Sequence, residues 1–221
     1  MLVERSMHPS WLSNAYLVAD EPGGTAVFVD SGAPLEPLIE AVEREGLEPT
    51  HVLVTHGHAD HVAGNDELRR RFDVRVTNGP LEAGGLRIVA LRTPGHSDDG
   101  VSFVVNDELC FSGDTLFRDS VGGGRAAGVA HSVMEVLMTL RHEMRVLPGH
   151  TEETTIGREW EENPFVRYWR RLEPPDGRRC RVYGHGATIV VWSPDYDGKG
   201  KALVRFEDGS EQIVGASRIE L

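Results

Sequence analysis

A mixed α/β fold is what this 221-residue chain predicts over residues 1–173, with a small all-β unit over residues 178–221. Three observations carry that expectation. Strand-like runs and an amphipathic helix follow one another in β-α-β order, which implies a right-handed crossover and an α/β layer. The strand-like runs end repeatedly in a glycine followed by a histidine or an aspartate, where open α/β sheets place their ligands. Beyond the turn-forming stretch Glu173-Pro174-Pro175-Asp176-Gly177, only strand-like runs remain.

Residues 11–19 and 25–30 are β-rich and joined by Asp20-Glu21-Pro22-Gly23-Gly24, so the chain opens with a hairpin. Residues 34–45 place Leu35, Leu38, Ile39 and Val42 at the i, i+3, i+4, i+7 spacing of an amphipathic helix, with Gly46 as its stop. The strand His51-Val52-Leu53-Val54 follows. Residues 65–72 read as a short helix capped by Asn65 or Asp66, with Arg69, Arg70 and Arg71 as its solvated face. Strands are expected over 74–77, 86–92, 101–105 and 109–112. The run Ser120 to Gly128 is too glycine-rich for regular structure and reads as an active-site loop or a plain connector. Val133, Val136, Leu137 and Leu140 predict a helix over 132–143, and a second over 158–172 is broken at Asn163-Pro164. Strands at 188–192, 202–206 and 212–214, separated by tight turns, predict a small antiparallel barrel; with Tyr183, Trp192, Tyr196 and Phe206 it resembles SH3-like or Tudor-like barrels, the aromatics filling its core in preference to lining a ligand groove.

Composition narrows the partners. The formal net charge is −12, which disfavours attraction to a phosphate backbone and argues for a small-molecule substrate rather than nucleic acid. No apolar run has the length of a membrane span, and Met1-Leu2-Val3-Glu4-Arg5 lacks a signal-peptide core, so no membrane partner is expected. Cys110 and Cys180 are the only cysteines, which fits a reducing, cytoplasmic compartment; Cys110 reads as a small buried hydrophobe. Self-association is left open.

The chemistry concentrates in Thr55-His56-Gly57-His58-Ala59-Asp60-His61, which holds three imidazoles and a carboxylate within six residues at a strand exit. Extended or irregular backbone there points His56 and His58 the same way, whereas a helix would separate them. His96, Asp114 and His150 each follow a strand-like run and a glycine. Together these five histidines and two aspartates suffice for two divalent ions sharing one carboxylate. Imidazole and carboxylate suit zinc, iron or manganese, with zinc the first expectation, and the absence of cysteine ligands argues against a closed structural zinc site. Taken singly, His96 or His150 would as readily be a satisfied turn histidine.

The stretch from Thr55 to His61 resembles the HxHxDH motif of the metallo-β-lactamase superfamily. Gly95-His96, Phe111-Ser112-Gly113-Asp114-Thr115-Leu116-Phe117 and Leu147-Pro148-Gly149-His150 resemble its later motifs, in order. The chain is most similar to the hydroxyacylglutathione hydrolase (glyoxalase II) branch, through Gly113 to Phe117 and through Thr155-Ile156-Gly157 to Glu162-Asn163-Pro164-Phe165. The resemblance spans about the first 170 residues and implies an αββα sandwich. It implies a first ion on His56, His58 and His96, a second on Asp60, His61 and His150, and Asp114 between them, with Asp60 and Asp114 as catalytic carboxylates. Such a pair would sit roughly 3.5–4 Å apart and deprotonate a shared water to attack an acyl carbonyl. A thiolate leaves readily because thiol pKa values lie near about 8.5, so a thioester of a small thiol carrier is the expected substrate. Asp30 and Thr55 would orient ligands, unless Asp30 merely closes its turn.

Two departures shape the alternatives. The helical C-terminal region of glyoxalase II, with its basic residues, is replaced here by the short β unit; Arg167, Arg170 and Arg171 read as a solvated helix face. Ser97-Asp98-Asp99-Gly100 after His96 resembles persulfide dioxygenases, which keep a single iron and oxidise rather than hydrolyse. A phosphodiesterase of the same fold is a further alternative, opposed by the net acidity.

Overall fold

A computed structural model describes residues 1–221. The first third of the chain gives β1 (Leu2–Met7), β2 (Asn14–Ala19), β3 (Thr25–Val29), α1 (Glu36–Glu45), β4 (Glu48–Leu53), α2 (Ala59–Val62), α3 (Asn65–Phe72) and β5 (Arg75–Thr77). These five strands form one sheet in the order β1-β2-β3-β4-β5, antiparallel through β3 and parallel from β3 to β5. β6 (Leu81–Ala83), β7 (Leu86–Arg92), β8 (Val101–Val105) and β9 (Leu109–Gly113) begin a second sheet. Next come β10 (Leu116–Phe117), β11 (Ser120–Val121), β12 (Gly124–Arg125), α4 (Ala126–His131), β13 (Arg145–Pro148), β14 (Thr154–Thr155), α5 (Ile156–Glu162) and α6 (Pro164–Trp169). The second sheet runs β14-β13-β9-β8-β7-β6, with β13 parallel to β9.

Period-two alternation explains why both faces of the central strands are apolar. On β2, Tyr16 and Val18 face the second sheet, where they join Val27, Val29, Leu53, Ile88, Phe103, Phe111 and Leu147 in the core between the sheets. Ala15, Leu17 and Ala19 face outward and join Phe28, Val52 and the helical Leu38, Ile39, Val42 and Leu68. On the far side, Val104, Cys110 and Val146 meet Val129, Val133, Leu137, Ile156 and Phe165. These layers make the αββα sandwich that the sequence motifs imply. Each fully buried Leu or Phe contributes about 1.5–3 kcal/mol, so the three apolar layers fix the strand ends firmly. The parallel pairs β3/β4 and β9/β13 matter most for function, because strands running the same way release Asp30, Thr55, Asp114 and Gly149 on the same side of their sheet.

The structure departs from the sequence reading at definable places. β1 is a strand at the sheet edge with only Ser6 fully buried, so it lacks the apolar alternation that would betray it. β2 starts at Asn14 rather than Trp11, since Leu12 takes a left-handed φ of 58° and breaks the extended run. α3 is capped by neither Asn65 nor Asp66; Gly64 holds the cap position, while Asn65 Oδ1 accepts a hydrogen bond from Ser31 Oγ. The glycine-rich run is regular: it contains β11, β12 and the start of α4. Its glycines permit close backbone approach, for a Cβ on Gly124 (φ 141°) would lie 2.4 Å from the Gly95 carbonyl oxygen. The helix expected over 132–143 is one wide π-type turn over 132–136 and a tight turn over 137–139.

The largest correction concerns the C-terminal unit. β15 (Arg179–Val182), β16 (His185–Ser193), β17 (Lys201–Phe206), β18 (Glu211–Gly215) and β19 (Ile219–Glu220) join β12 in an antiparallel sheet of order β12-β18-β17-β16-β15-β19. The expected SH3-like barrel does not close: β12 and β19 stay at opposite edges. A barrel must turn one face of its sheet inward, whereas here that face is used elsewhere. Val190, Val191, Leu203 and Ile213 belong to the same apolar layer as Val129 and Phe165. Only the other face, with Val182, Ile189, Ala202 and Val204, makes a cluster of its own, against which Trp192 and Phe206 pack. Tyr183 is exposed, and Tyr196 is directed at the site described below. No helix in the chain is long and apolar enough to cross a membrane.

Asn163 joins α5, α6 and β11. Its Oδ1 accepts from the backbone N–H of Phe165 at 3.0 Å and of Val166 at 3.4 Å, while Nδ2 donates to Ser120 O at 3.0 Å and Glu159 Oε2 at 2.9 Å. Asn163→Ala removes the cap on the Phe165 and Val166 N–H groups and the bond to Ser120 O, while Glu159 Oε2 keeps Asp119 N, so we predict a loss of about 1–3 kcal/mol, read from the urea midpoint. An unchanged midpoint would show that these bonds add nothing.

Candidate metal centre

The chain leaves β4 at Leu53, and irregular backbone carries Thr55, His56 and Gly57 to His58, where the short helix α2 begins. His56 and His61 are buried, Asp60 is half-buried and His58 is exposed at the rim. His96 follows β7, Asp114 follows β9 and His150 follows β13, and these side chains converge with those of the first motif. Passage of β13 past Asp114 requires Gly149: a Cβ there would lie 2.2 Å from Asp114 Oδ1 and 2.8 Å from His61 Cε1.

All seven residues singled out from sequence are brought together. His56, His58 and His96 form one triad and Asp60, His61 and His150 another, the ligand atoms of each lying within 4.8 Å of one another. Asp114 stands between: Oδ1 is 3.4 Å from His61 Nε2, and Oδ2 is 3.5 Å from His96 Nε2 and 3.4 Å from His150 Nε2. Asp60 Oδ2 lies 3.5 Å from His150 Nε2 and 3.7 Å from His61 Nε2.

The outer nitrogens fix the tautomers. His61 Nδ1 donates to Asp30 Oδ2 at 2.7 Å, His96 Nδ1 to Gly123 O at 2.8 Å and His150 Nδ1 to Leu12 O at 2.9 Å. Thr55 Oγ1 gives its only proton to Asp30 Oδ2, so it can only accept from His56 Nδ1, at 3.2 Å. All four rings therefore turn Nε2 inward, where each can offer a lone pair to a metal once it carries no proton there. His58 Nδ1 meets two of those lone pairs, 2.9 Å from His56 Nε2 and 3.0 Å from His96 Nε2, and one proton cannot satisfy both. In the other triad, His61 Nε2 and Asp114 Oδ1 are buried without any hydrogen-bond partner. Convergent lone pairs and orphaned buried acceptors fit cations, and the donor set suits zinc, iron or manganese.

Electrostatics points the same way. Burial pushes His56 down to about 4, so it is neutral and ready to coordinate at ordinary pH. Burial would also lower His61, but the carboxylates of Asp30 and Asp114 outweigh it and raise His61 to about 11. His150 likewise rises to about 9 against its burial, through Asp114 and Asp60. Asp114 is held well below the usual carboxylate range, its burial overcome by His150 and His61. Without a metal, protons neutralise this acidic end, and a divalent ion would displace them.

Sequence reasoning left Asp30 undecided between two roles. The structure gives it both, at a left-handed φ of 56°: Oδ1 accepts from Thr55 N at 2.8 Å, and Oδ2 takes the Thr55 hydroxyl and His61 Nδ1. Asp99 Oδ2 accepts from Gly57 N at 2.9 Å and steadies the loop between His56 and His58. Tyr196 was missed as a site residue. Its ring lies flat on His150, centroids 4.0 Å apart and planes 8° off parallel. It sits in a Pro-Asp-Tyr-Asp-Gly turn that, in sequence, looks like any hairpin turn. Arg167 and Arg170 serve the outer helices: Arg167 pairs with Glu173, and the Arg170 guanidinium lies 3.9 Å over the Trp160 ring.

Comparison with known proteins agrees with this arrangement. Residues 9–86 match the metallo-beta-lactamase superfamily domain. The hydroxyacylglutathione hydrolase of Rhodopseudomonas palustris (strain BisA53) is 36% identical over 229 residues, covering 91% of this chain and 85% of that protein. The crystal structure of ETHE1 from Myxococcus xanthus is similar with a TM-score of 0.66 and 29% identity, over 80% of this chain and 93% of that one. TTHA1623, solved in a di-iron-bound form, is similar with a TM-score of 0.59 and 31% identity, over 72% of this chain and 98% of that one. The chain belongs to the metallo-β-lactamase superfamily, with hydroxyacylglutathione hydrolases among its relatives.

Two outcomes test the centre. Because His61 and His150 bind protons more tightly in the folded metal-free site than free histidine does, metal must compete with those protons. Affinity should rise with pH through neutrality, and loading near neutral pH should release about one to two protons, measured by calorimetry in buffers of different ionisation heat. Proton-neutral binding would refute this. Asp30→Asn keeps a residue tolerant of positive φ but removes the charge facing His61, and should weaken metal affinity roughly 10–100-fold in a competitive chelator titration.

Proposed function

We propose that this protein is a dinuclear metallohydrolase that cleaves a thioester of a small thiol carrier. The observation carrying the proposal is the pair of complete triads with Asp114 between them, whose buried Oδ1 and the His61 Nε2 have no partner within the protein. The 36% identity to a hydroxyacylglutathione hydrolase over most of the chain supports the thioester class. The net charge of −12 speaks against a phosphodiester substrate. By this reading His56, His58 and His96 hold one ion, Asp60, His61 and His150 the other, and Asp114 contacts both. The likeness to a di-iron-bound structure supports a count of two, with zinc, iron and manganese all compatible with the donors.

Divalent ions bound here would activate a water and polarise the acyl carbonyl. The protein's part is positioning. Asp30, Gly123 O and Leu12 O fix three imidazoles through their outer nitrogens, so little reorganisation is needed when charge develops in the reaction. Asp60 is the half-buried carboxylate at the rim, held in its ionised form first by its hydrogen bond with His150, and it can accept a proton from a water at the centre. A thiolate leaving group needs no strong general acid.

A second reading, oxidation of a persulfide at a single iron, rests on the Ser97-Asp98-Asp99-Gly100 run. In the structure Asp98 pairs with Arg125 while Asp99 braces Gly57, so this run shapes the rim of the first triad.

The readings separate in one set of assays. Metal-loaded protein should release free thiol from a panel of glutathione, coenzyme A and simpler acyl thioesters, detected with a thiol-reactive dye, and chelator treatment should abolish the release. No thiol release from any thioester, together with oxygen uptake on glutathione persulfide by the iron-loaded form, would replace hydrolysis with oxidation.

A further inference from the structure

The second triad is not completed by the αββα layers alone. Between β16 and β17 the chain reaches back from the C-terminal sheet and lays the Tyr196 ring on the face of His150, at 4.0 Å and 8°. The other side of that arrangement is Phe117, which meets His150 edge-on at 5.7 Å and Tyr196 edge-on at 5.8 Å. His150 is thus held by three independent contacts: its Nδ1 bond to Leu12 O, the Phe117 edge and the Tyr196 face.

Tyr196 is itself anchored. Asp195 Oδ1 pairs with Lys201 Nζ at 3.2 Å, with both side chains only 6% exposed, and Lys201 Nζ donates to Val121 O at 2.9 Å. The same ammonium lies 4.8 Å from the Phe117 ring centroid and 5.3 Å from that of Tyr196. A buried lysine persists only when its charge is paired and its donors are used. Here the carboxylate, the carbonyl and the two ring faces meet that demand together. Lys201 and Asp195 therefore tie the β16–β17 turn to β11, the strand that follows Phe117, and set the height of the Tyr196 ring over His150.

The geometry points to Tyr196 as a positioning residue for His150, which makes the C-terminal sheet part of the metal centre. Its aromatic face, and not its hydroxyl, is the working group, because the contact with the imidazole is ring on ring. An imidazole held in one plane keeps its Nε2 directed at the space beside Asp60 and Asp114; released from the stack, it can turn about its Cβ–Cγ bond, strain the Nδ1–Leu12 hydrogen bond and lose that alignment. The inference rests on the proposed two-ion site.

A cobalt(II) titration of the metal-free full chain, followed by visible absorption, tests it. Wild type and Tyr196→Phe should each take up about two equivalents with equal affinities, since phenylalanine keeps the stack. Tyr196→Ala should bind the first equivalent with an unchanged spectrum and the second roughly 10–100-fold more weakly. Tyr196→Leu, which fills the space without an aromatic face, should behave like Tyr196→Ala, so the test survives should the alanine variant fold poorly. Second-ion affinity in the leucine variant within about twofold of wild type would overturn the positioning role while leaving the two-ion site standing. Uptake of a single equivalent by wild type itself would overturn both, and that result is seen before any substitution is made.

Discussion

A buried carboxylate that accepts three hydrogen bonds organises this molecule. Asp30, 2% exposed, binds Thr55 N, Thr55 Oγ1 and His61 Nδ1 at the point where β3 and β4 end side by side. A negative charge so far from water is tolerable only when its lone pairs are filled. Filling them simultaneously joins two parallel strands, fixes the histidine loop and turns His61 toward Asp114. Fold and site share this carboxylate, and neither can be described without it.

What surrounds Asp30 follows from the same demand. His61, His96 and His150 each spend the outer N–H on oxygen supplied by a different element: the end of β3, the segment before β12, the loop before β2. The inner nitrogens converge on one another and on the Asp60 and Asp114 carboxylates, where His56 and His96 compete for one His58 proton and His61 and His150 hold protons against the carboxylates. A folded chain normally avoids such frustration. It persists here because the αββα layers, built from fully buried side chains such as Phe28, Phe103 and Phe111, are rigid enough to hold it. Functional sites commonly store local cost of this kind, with the surrounding structure over-determining it.

The division between what sequence could and could not disclose is physical. The histidine motif, the glycine-flanked His96, Asp114 and His150, and the α1 helix with its Gly46 stop all depend on neighbours a few residues away, and such short-range patterns read directly. The αββα layering was implied through the motifs rather than through periodicity, because central strands buried on both faces, such as β2, lose the alternation that marks a half-exposed strand. The C-terminal unit misled for the opposite reason. Its strands are correct in kind, yet closure into a barrel depends on what covers the second face, and Val190, Leu203 and Ile213 are covered by residues far earlier in the chain. Tyr196 and His150 lie 46 positions apart with no local pattern linking them. Glycines at 122–124 read in sequence as an active-site loop or a connector, because the backbone they press against lies elsewhere in the chain.

The short strand β12 has a consequence for how this architecture can change over time. Gly124 and Arg125 pair with Ile213 and Gln212 at the edge of the C-terminal sheet, and the adjoining Gly123 carbonyl holds the His96 ring. Two neighbouring peptide units therefore answer to both halves of the molecule. Within this chain the tail cannot shift alone: a change that slides the β12–β18 register would carry the Gly123 carbonyl, and with it the His96 ring, so alterations on the two sides of that seam are coupled.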